Sequence, residues 1–383
     1  MDRRTFQLGL GAALVCTTMA GGARAQPTYA GPNVVLVRFG GGVRRAETID
    51  EATTYAPYLR QVLAPRGVFV PDVSIAQLDG VNTSHAEGTL NLLTGRYLAY
   101  RDAGARFLQQ RLEPTEPTLF EYLRGAYDLR PHEALLINGE DRPQEEFLTY
   151  GVAEHYGIDF RSEMLSLHRY KLWLYEAILT EATADEQTLS ETARLLEDLR
   201  AIEPRGAATQ PSPAVAGFWE RWRAEYGDDG LRNPRGDRLL TALAVRALRE
   251  LRPRLMMVNY QDPDYVHWGN PSHYTRAISI IDEGLRQLVA AVEGDPAYRD
   301  NTVFVITPDC GRDDNSLMSV PYQHHFNSRA AHETWAVVFG TGVDRGRILD
   351  RPVDQSAIAP TIAALMGFAA TEAEGTALSD ILV

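Results

Sequence analysis

The amino-acid sequence predicts an α/β fold with a mostly parallel central sheet sandwiched by helices. Short, continuous apolar runs, typical of strands buried on both faces, alternate along the chain with segments of helical periodicity. The first such run is NVVLVRF at residues 33–39, and the last helical segment, residues 354–367, stops at Gly367. Several of the predicted strands also lead directly into clusters of charged and polar residues.

The composition is that of a globular protein, and the charge argues against one class of partner. Of the 383 residues, 44% are hydrophobic and 23% are charged. The formal net charge of -13 argues against nucleic acid, because binding to phosphates needs a basic surface. A small anionic substrate is still permitted, because a local cationic site can outweigh the overall charge.

Residues 1–25 predict an export signal rather than a part of the fold. They have a basic start, an apolar stretch too short for a membrane span and a small-residue end, so no stable span is expected after signal removal. The pair Arg3-Arg4, followed by Thr-Phe, resembles a twin-arginine signal, with an ordinary secretory signal as the alternative. Either predicts a bacterial protein exported to the periplasm or beyond. Cys16 would leave with the signal, so Cys310 has no disulfide partner.

The part of the chain that follows the signal predicts three strands and two helices. Apolar runs predict strands at residues 33–39, 67–75 and 133–139. Helical periodicity predicts helices at residues 86–95, which a glycine ends, and 118–127.

Residues 140–235 differ in character from the segments around them. They are rich in Glu, Arg, Leu and Trp, with helical periodicity from Glu163 to Ile202 and a loop at residues 204–217. We expect a helical insertion that covers the sheet, within one α/β domain of residues 26–383. A separate small domain is the alternative.

The alternation resumes after this insertion. Helices are expected at residues 236–251 and 271–294, and strands at residues 254–260, 301–309 and 334–340.

Acidic and imidazole side chains stand next to three of these strands. Asp264 and His267 follow one strand, Asp309 ends another, and His324 and His325 precede the last. Because ligands of open α/β sheets bind outside the carboxyl ends of the strands, we expect Asp264, His267, Asp309 and one of the paired histidines to converge. Such ligands suit one or two divalent ions, zinc or manganese. Each motif alone also arises by chance, and it is their order along the chain that favours a metal site.

The same order of segments resembles the alkaline phosphatase superfamily, which includes phosphodiesterases, sulfatases and phosphate-transferring mutases. The resemblance covers most of the chain after the signal and rests on five segments, NVVLVRFGGGVRR, NTSHAEGTLNLLTGRY, DPDYVHWGNPSHYTRAISIIDEGL, NTVFVITPDCGRDD and DQSAIAPTIAALMG. It implies two metal ions, a Ser or Thr nucleophile, and a set of Asp and His ligands. Carried over residue by residue, it assigns Asp264, His267 and His325 or His324 to one metal and Asp309 to the second.

Two departures from the family leave the second metal site incomplete. Gly40 and Gly41 stand where the family usually has an aspartate, and Cys310 stands where it often has a histidine. Cys310 could supply a thiolate, since a metal deprotonates a coordinating thiol. Asp313 could bind the ion instead, or the chain holds one metal, or none.

The resemblance places the nucleophile near the start of the helix at residues 86–95. Thr83 or Ser84 would attack the ester, activated by a metal, or a metal-bound water would attack directly. The alternative is that either residue is only the N-cap of that helix, a role that these residue types favour. Asn82, His85 and Glu87 are polar candidates for binding a small anionic ester substrate. Its anionic group could be held by an arginine, Arg38, Arg44, Arg45 or Arg96, and the alternative for these is a surface or ion-pair role.

The sequence therefore predicts an exported, metal-dependent hydrolase of phosphate or sulfate esters. The alternative is a non-catalytic member of the same fold that binds an anionic ligand or a partner protein. The glycines at 40–42 and Cys310 favour this alternative, whereas Asp264, His267 and His325 favour the enzyme. A mutase fits an exported protein less well.

Overall fold

The structure is a computed structural model that describes residues 26–104, 111–139, 142–181, 184–203, 205, 210–231, 236–268, 270–313, 317, 322–324 and 327–383. The predicted export signal and His325 lie outside the described residues. None of the helices in the described part of the chain is long and apolar enough to cross a membrane.

The strands, in chain order, are β1 (Asn33–Arg38), β2 (Val68–Ser74), β3 (Tyr100–Asp102), β4 (Leu112–Pro114), β5 (Ala134–Asn138), β6 (Glu163–Leu165), β7 (Leu255–Asn259), β8 (Thr302–Thr307), β9 (Glu333–Gly340), β10 (Arg347–Ile348) and β11 (Val353–Asp354). The α-helices are α1 (Arg45–Thr48), α2 (His85–Thr94), α3 (Leu119–Ala126), α4 (Arg142–Glu145), α5 (Leu167–Thr180), α6 (Glu186–Arg200), α7 (Pro213–Tyr226), α8 (Asp237–Glu250), α9 (Pro271–Gly294), α10 (Arg329–His332) and α11 (Ile358–Met366).

The main sheet has the order β10-β2-β9-β8-β1-β7-β5-β6, with β11 also paired to β2. Its strands run parallel except β9, which is antiparallel to both β2 and β8. The prediction of a mostly parallel α/β sheet is confirmed. The hairpin of β3 and β4, which the sequence did not predict, stands apart from this sheet.

Alternate residues of β1 show why its sequence is continuously apolar. Val35 and Val37 pack on one side with the helices α5, α7, α8 and α9. Val34 and Leu36 pack on the other side with α2, α3 and α11. A strand buried on both faces needs apolar residues at every position, which produces the uninterrupted run in the sequence.

Within residues 140–235 the structure corrects the predicted elements at two places. Glu163–Leu165 is not helical but forms the edge strand β6, parallel to β5. Pairing with an available strand edge overrides the local helical pattern here. Helix α7 begins at Pro213, inside the predicted loop, because proline is favourable in the first turn of a helix.

The centre of the sheet positions the candidate ligands. Strand β1 lies between β7 and β8, and all three are parallel. Arg38, the last residue of β1, is level with Asn259 on one side and Thr307 on the other. The segments that follow β7 and β8 therefore leave the sheet on either side of Arg38.

Candidate metal centre

The side chain of Asp264 lies at the centre of a group of imidazoles. Its Oδ1 atom is 2.7 Å from His85 Nε2, 3.0 Å from His267 Nε2 and 3.3 Å from His324 Nε2. Asp309 joins this group through His85, whose Nδ1 is 2.5 Å from Asp309 Oδ2. The structure thus brings together four of the predicted ligands, Asp264, His267, Asp309 and His324, and adds His85.

The loop after β7 places Asp264 and His267. A 3₁₀ turn at Asp262–Tyr265 begins just after this strand, and the backbone N–H of Asp264 donates to the carbonyl of Gln261 over 2.9 Å. His267 follows two residues after the turn, so that its ring meets the same carboxylate.

Helix α2 places His85 as its first residue. The side chain of Ser84 caps this helix by accepting a hydrogen bond from the backbone N–H of Glu87. Gly88 lets the first turn lie directly against Asp309, because a Cβ atom at this position would collide with the Asp309 carbonyl. This close approach brings the His85 ring between the two aspartates.

His324 is fully buried and is oriented from behind by Thr83. Its Nδ1 atom lies 2.8 Å from the backbone carbonyl of Thr83, to which an N–H donates, while Nε2 faces Asp264. A histidine that binds a metal commonly donates its other ring N–H to such a carbonyl. The Thr83 hydroxyl in turn donates to the carbonyl of His324.

The charges in the group stabilise one another. Burial opposes the charge of Asp264, but His85, His267 and His324 hold its pKa well below the usual value. Burial also opposes a charge on His85, yet Asp264 and Asp309 outweigh it and hold the pKa of His85 well above the usual value.

The donor set around Asp264 fits a divalent transition metal. One carboxylate oxygen and imidazole nitrogens of His267 and His324 lie within 4.8 Å of one another. They come from separate loops and belong to the ligand types that zinc and manganese use in proteins. The Nε2 atom of His85 lies 2.7 Å from the same oxygen, and nitrogens of His85 and His324 form a second group with the Cys310 thiol.

The surroundings of Asp309 fit a second metal poorly. Both Asp309 and Arg38 are buried, and Arg38 Nη1 lies 3.6 Å from Asp309 Oδ2. The Cys310 Sγ atom and ring nitrogens of His85 and His324 lie within 4.8 Å of one another, and Sγ is 3.9 Å from His85 Nδ1. Burial, followed by the charge of Asp309, raises the pKa of Cys310 to about 11, so the thiol would ionise near neutral pH only on binding a metal. A cationic side chain and a buried thiol thus occupy the position predicted for the second metal.

The hydroxyls predicted as nucleophiles are engaged in other hydrogen bonds. The buried Thr83 hydroxyl donates to the His324 carbonyl, and the Ser84 hydroxyl donates to Glu87 Oε2 over 3.1 Å. Ser84 therefore has the N-cap geometry that the sequence left open as the alternative.

The predicted substrate-binding residues are placed in three different ways. Arg96 follows the far end of α2, a helix about 15 Å long that begins at His85, and pairs with Glu374 at 3.1 Å, so the structure does not bring it to the Asp264 group. The exposed Asn82 donates to Glu87 Oε1 over 3.3 Å. His85 lies within the Asp264 group. The sequence signal that could have placed it there is its position at the start of a helix at the carboxyl edge of the sheet.

No family model matches the chain, and no curated protein matches it by sequence. Solved structures do match. A protein in the alkaline phosphatase superfamily from Vibrio parahaemolyticus has 13% sequence identity and a TM-score of 0.54, over 94% of this chain and 73% of that one. A 2-O GAG sulfatase has 12% identity and a TM-score of 0.54, over 91% of this chain and 74% of that one. The phosphonate monoester hydrolase of Agrobacterium radiobacter has 16% identity and a TM-score of 0.51, over 92% and 77%.

Proposed function

We propose that this chain, which has the fold of the alkaline phosphatase superfamily, is a metal-dependent hydrolase of phosphate or sulfate esters. The observation that carries the proposal is the Asp264 carboxylate, with three imidazole nitrogens within 3.3 Å of its Oδ1 atom. The fold is shared with a 2-O GAG sulfatase and a phosphonate monoester hydrolase, which supports this class of substrate. When bound, zinc or manganese would supply Lewis-acid polarisation of an ester oxygen.

The residues of the chain have distinct parts in this proposal. Asp264, His267 and His324 bind the ion, and the Thr83 carbonyl fixes the orientation of the His324 ring. His85 holds a proton at Nδ1, donated to Asp309 Oδ2. Because the hydroxyls of Thr83 and Ser84 already donate to other groups, the geometry favours water as the nucleophile.

The rest of the ester would lie beside this centre. Leu167, at the start of α5, lines a cleft together with Tyr265 and with residues that follow β5 and β7. The cleft adjoins the segment that carries Asp264, so the helical segment after β6 would help to select the alcohol part of a small anionic ester.

The proposal predicts metal-dependent turnover of simple esters. The protein purified with zinc or manganese is expected to hydrolyse at least one member of a panel of aryl phosphate monoesters, aryl phosphate diesters and aryl sulfates. Chelation should abolish the activity, and adding back the metal should restore it. A preparation that stays inactive and metal-free after both metals have been offered would favour the non-catalytic alternative.

We also propose that the protein is exported in folded form through a twin-arginine signal, on the evidence of residues 1–25 of the sequence. Replacing Arg3 and Arg4 together by lysine is expected to leave most of the protein in the cytoplasm, as measured by cell fractionation and immunoblotting. An ordinary secretory signal accepts lysine in its basic start. Undiminished export of the double variant would therefore point to that alternative.

A further inference from the structure

We infer that the Arg38 guanidinium takes the place of a second cation beside Asp309, so that the centre binds one metal ion with His85 as its fourth ligand. The inference rests on the proposed function, because it concerns the same metal centre. It can nevertheless be tested separately, since the number of bound ions is measured without turnover.

Arg38 is held in place from several sides. Its Nη1 atom donates to Thr89 Oγ1 over 2.6 Å and lies 3.6 Å from Asp309 Oδ2, while Nη2 donates to the Tyr260 carbonyl over 3.2 Å. Arg38 is 1% exposed and Asp309 is 0% exposed, so water does not solvate either charge. A guanidinium remains protonated in proteins, so this positive charge is permanent. Arg38 contributes to lowering the pKa of Asp309, against the effect of burial.

The absence of a side chain at position 40 belongs to the same arrangement. A Cβ atom on Gly40 would lie 2.5 Å from Arg38 Nε and 2.8 Å from Nη2, and it would also collide with the Tyr260 carbonyl. The present position of the guanidinium is therefore incompatible with an acidic side chain at position 40. Position 40 therefore carries no acidic group, and the Arg38 guanidinium is the cation beside Asp309.

Asp309 contacts the ring nitrogen of His85 that faces away from Asp264, as a carboxylate does when it orients a metal-binding histidine. The Asp309 carboxylate contacts His85 Nδ1 at 2.5 Å, which directs Nε2 of the same ring towards Asp264 Oδ1, 2.7 Å away. Carboxylates commonly orient metal-binding histidines in this way. Asp309, predicted as a ligand of the second metal, is thus a positioning residue, and His85, predicted to bind the substrate, is a metal ligand.

A second ion would have few atoms available to it. Asp309 Oδ1 is buried and has no hydrogen-bond partner among the described residues, so it is the atom that such an ion would use. An ion there would share one carboxylate with the Arg38 guanidinium, and the two positive charges would repel. The Cys310 thiol lies 3.9 Å from His85 Nδ1, a nitrogen that Asp309 already contacts.

The experiment is a count of bound zinc per folded chain by elemental analysis after equilibrium dialysis, with the zinc Kd from calorimetry. We expect one ion in the wild type and one ion in Asp309→Asn, with affinity weakened by about 10–100-fold, as for other groups behind a ligand. His85→Ala should weaken binding more than Asp309→Asn does. The visible spectrum of cobalt-substituted protein should change more for His85→Ala, because a ligand is lost. Circular dichroism checks that both variants are folded.

Two ions in the wild type and one in Asp309→Asn would overturn the inference and leave the proposed function standing. A greater loss of affinity in Asp309→Asn than in His85→Ala would also overturn it. One ion without turnover of any ester would contradict the proposed function alone. A wild type that binds no ion would contradict both.

Discussion

Replacing Asp264 by alanine is expected to empty the metal centre and to abolish ester hydrolysis. Its Oδ1 atom is the one that His85, His267 and His324 all contact, so the variant removes this shared anionic partner and leaves His85 with Asp309 alone. We expect metal affinity to fall by more than about 100-fold, because changes in groups behind the ligands already cause losses of about 10–100-fold. Elemental analysis of the purified variant and its rate on the best aryl ester measure the two effects. His267→Ala should act in the same direction.

Ser272→Ala is the matched control for Asp264→Ala. Ser272 is exposed in the first turn of α9, and its backbone N–H, rather than its side chain, donates to the capping residue Asn270. Metal content and rate should remain those of the wild type. An Asp264→Ala variant that also kept both would show that this carboxylate is not a ligand.

Replacing Arg38 by methionine is expected to destabilise the fold by about 3–5 kcal/mol, the range found when one partner of a buried ion pair is removed. Methionine keeps much of the apolar length of the side chain but leaves the buried charge of Asp309 without its guanidinium. Unfolding in denaturant, followed by circular dichroism, measures the loss.

The loss from Arg38→Met should depend on pH. In the wild type, Arg38 and His85 hold the pKa of Asp309 below its usual value against the opposing effect of burial, so the ionised carboxylate contributes stability above the unfolded pKa of about 4. That contribution is lost as the pH falls through the lower pKa of the folded state. The difference between the wild type and Arg38→Met should therefore be largest near neutral pH and should narrow in acid.

Two further variants test whether the loss of stability comes from the burial of the Arg38–Asp309 ion pair. Arg38→Met combined with Asp309→Asn should recover most of the lost stability, because no unpaired charge remains buried. Arg194→Met removes one partner of the exposed pair of Arg194 with Asp198, 3.4 Å apart, and should leave stability nearly unchanged. If the double variant recovered nothing, the Arg38 effect would come from packing rather than from charge.

Much of the fold could be predicted because its signals are local. Strands such as β1 and β8 are buried on both faces and therefore appear as unbroken apolar runs. Helix α2 ends at Thr94, just before Gly95, which has a left-handed conformation that favours glycine, and so the end of this helix could be predicted. Strand β6 was missed because three residues carry little pattern of their own, and its conformation depends on pairing with β5.

The sequence by itself determined the layered sheet and the presence of acidic and imidazole residues after its central strands. Both are local features, because apolar periodicity and the polar residues at strand ends can be recognised from neighbouring positions in the chain. Only the tertiary structure decided that His85 stands between Asp264 and Asp309, and that Arg38 pairs with Asp309. These contacts join residues far apart in the chain. They depend on β1 lying between β7 and β8, and on burial that forces each charge to find a partner.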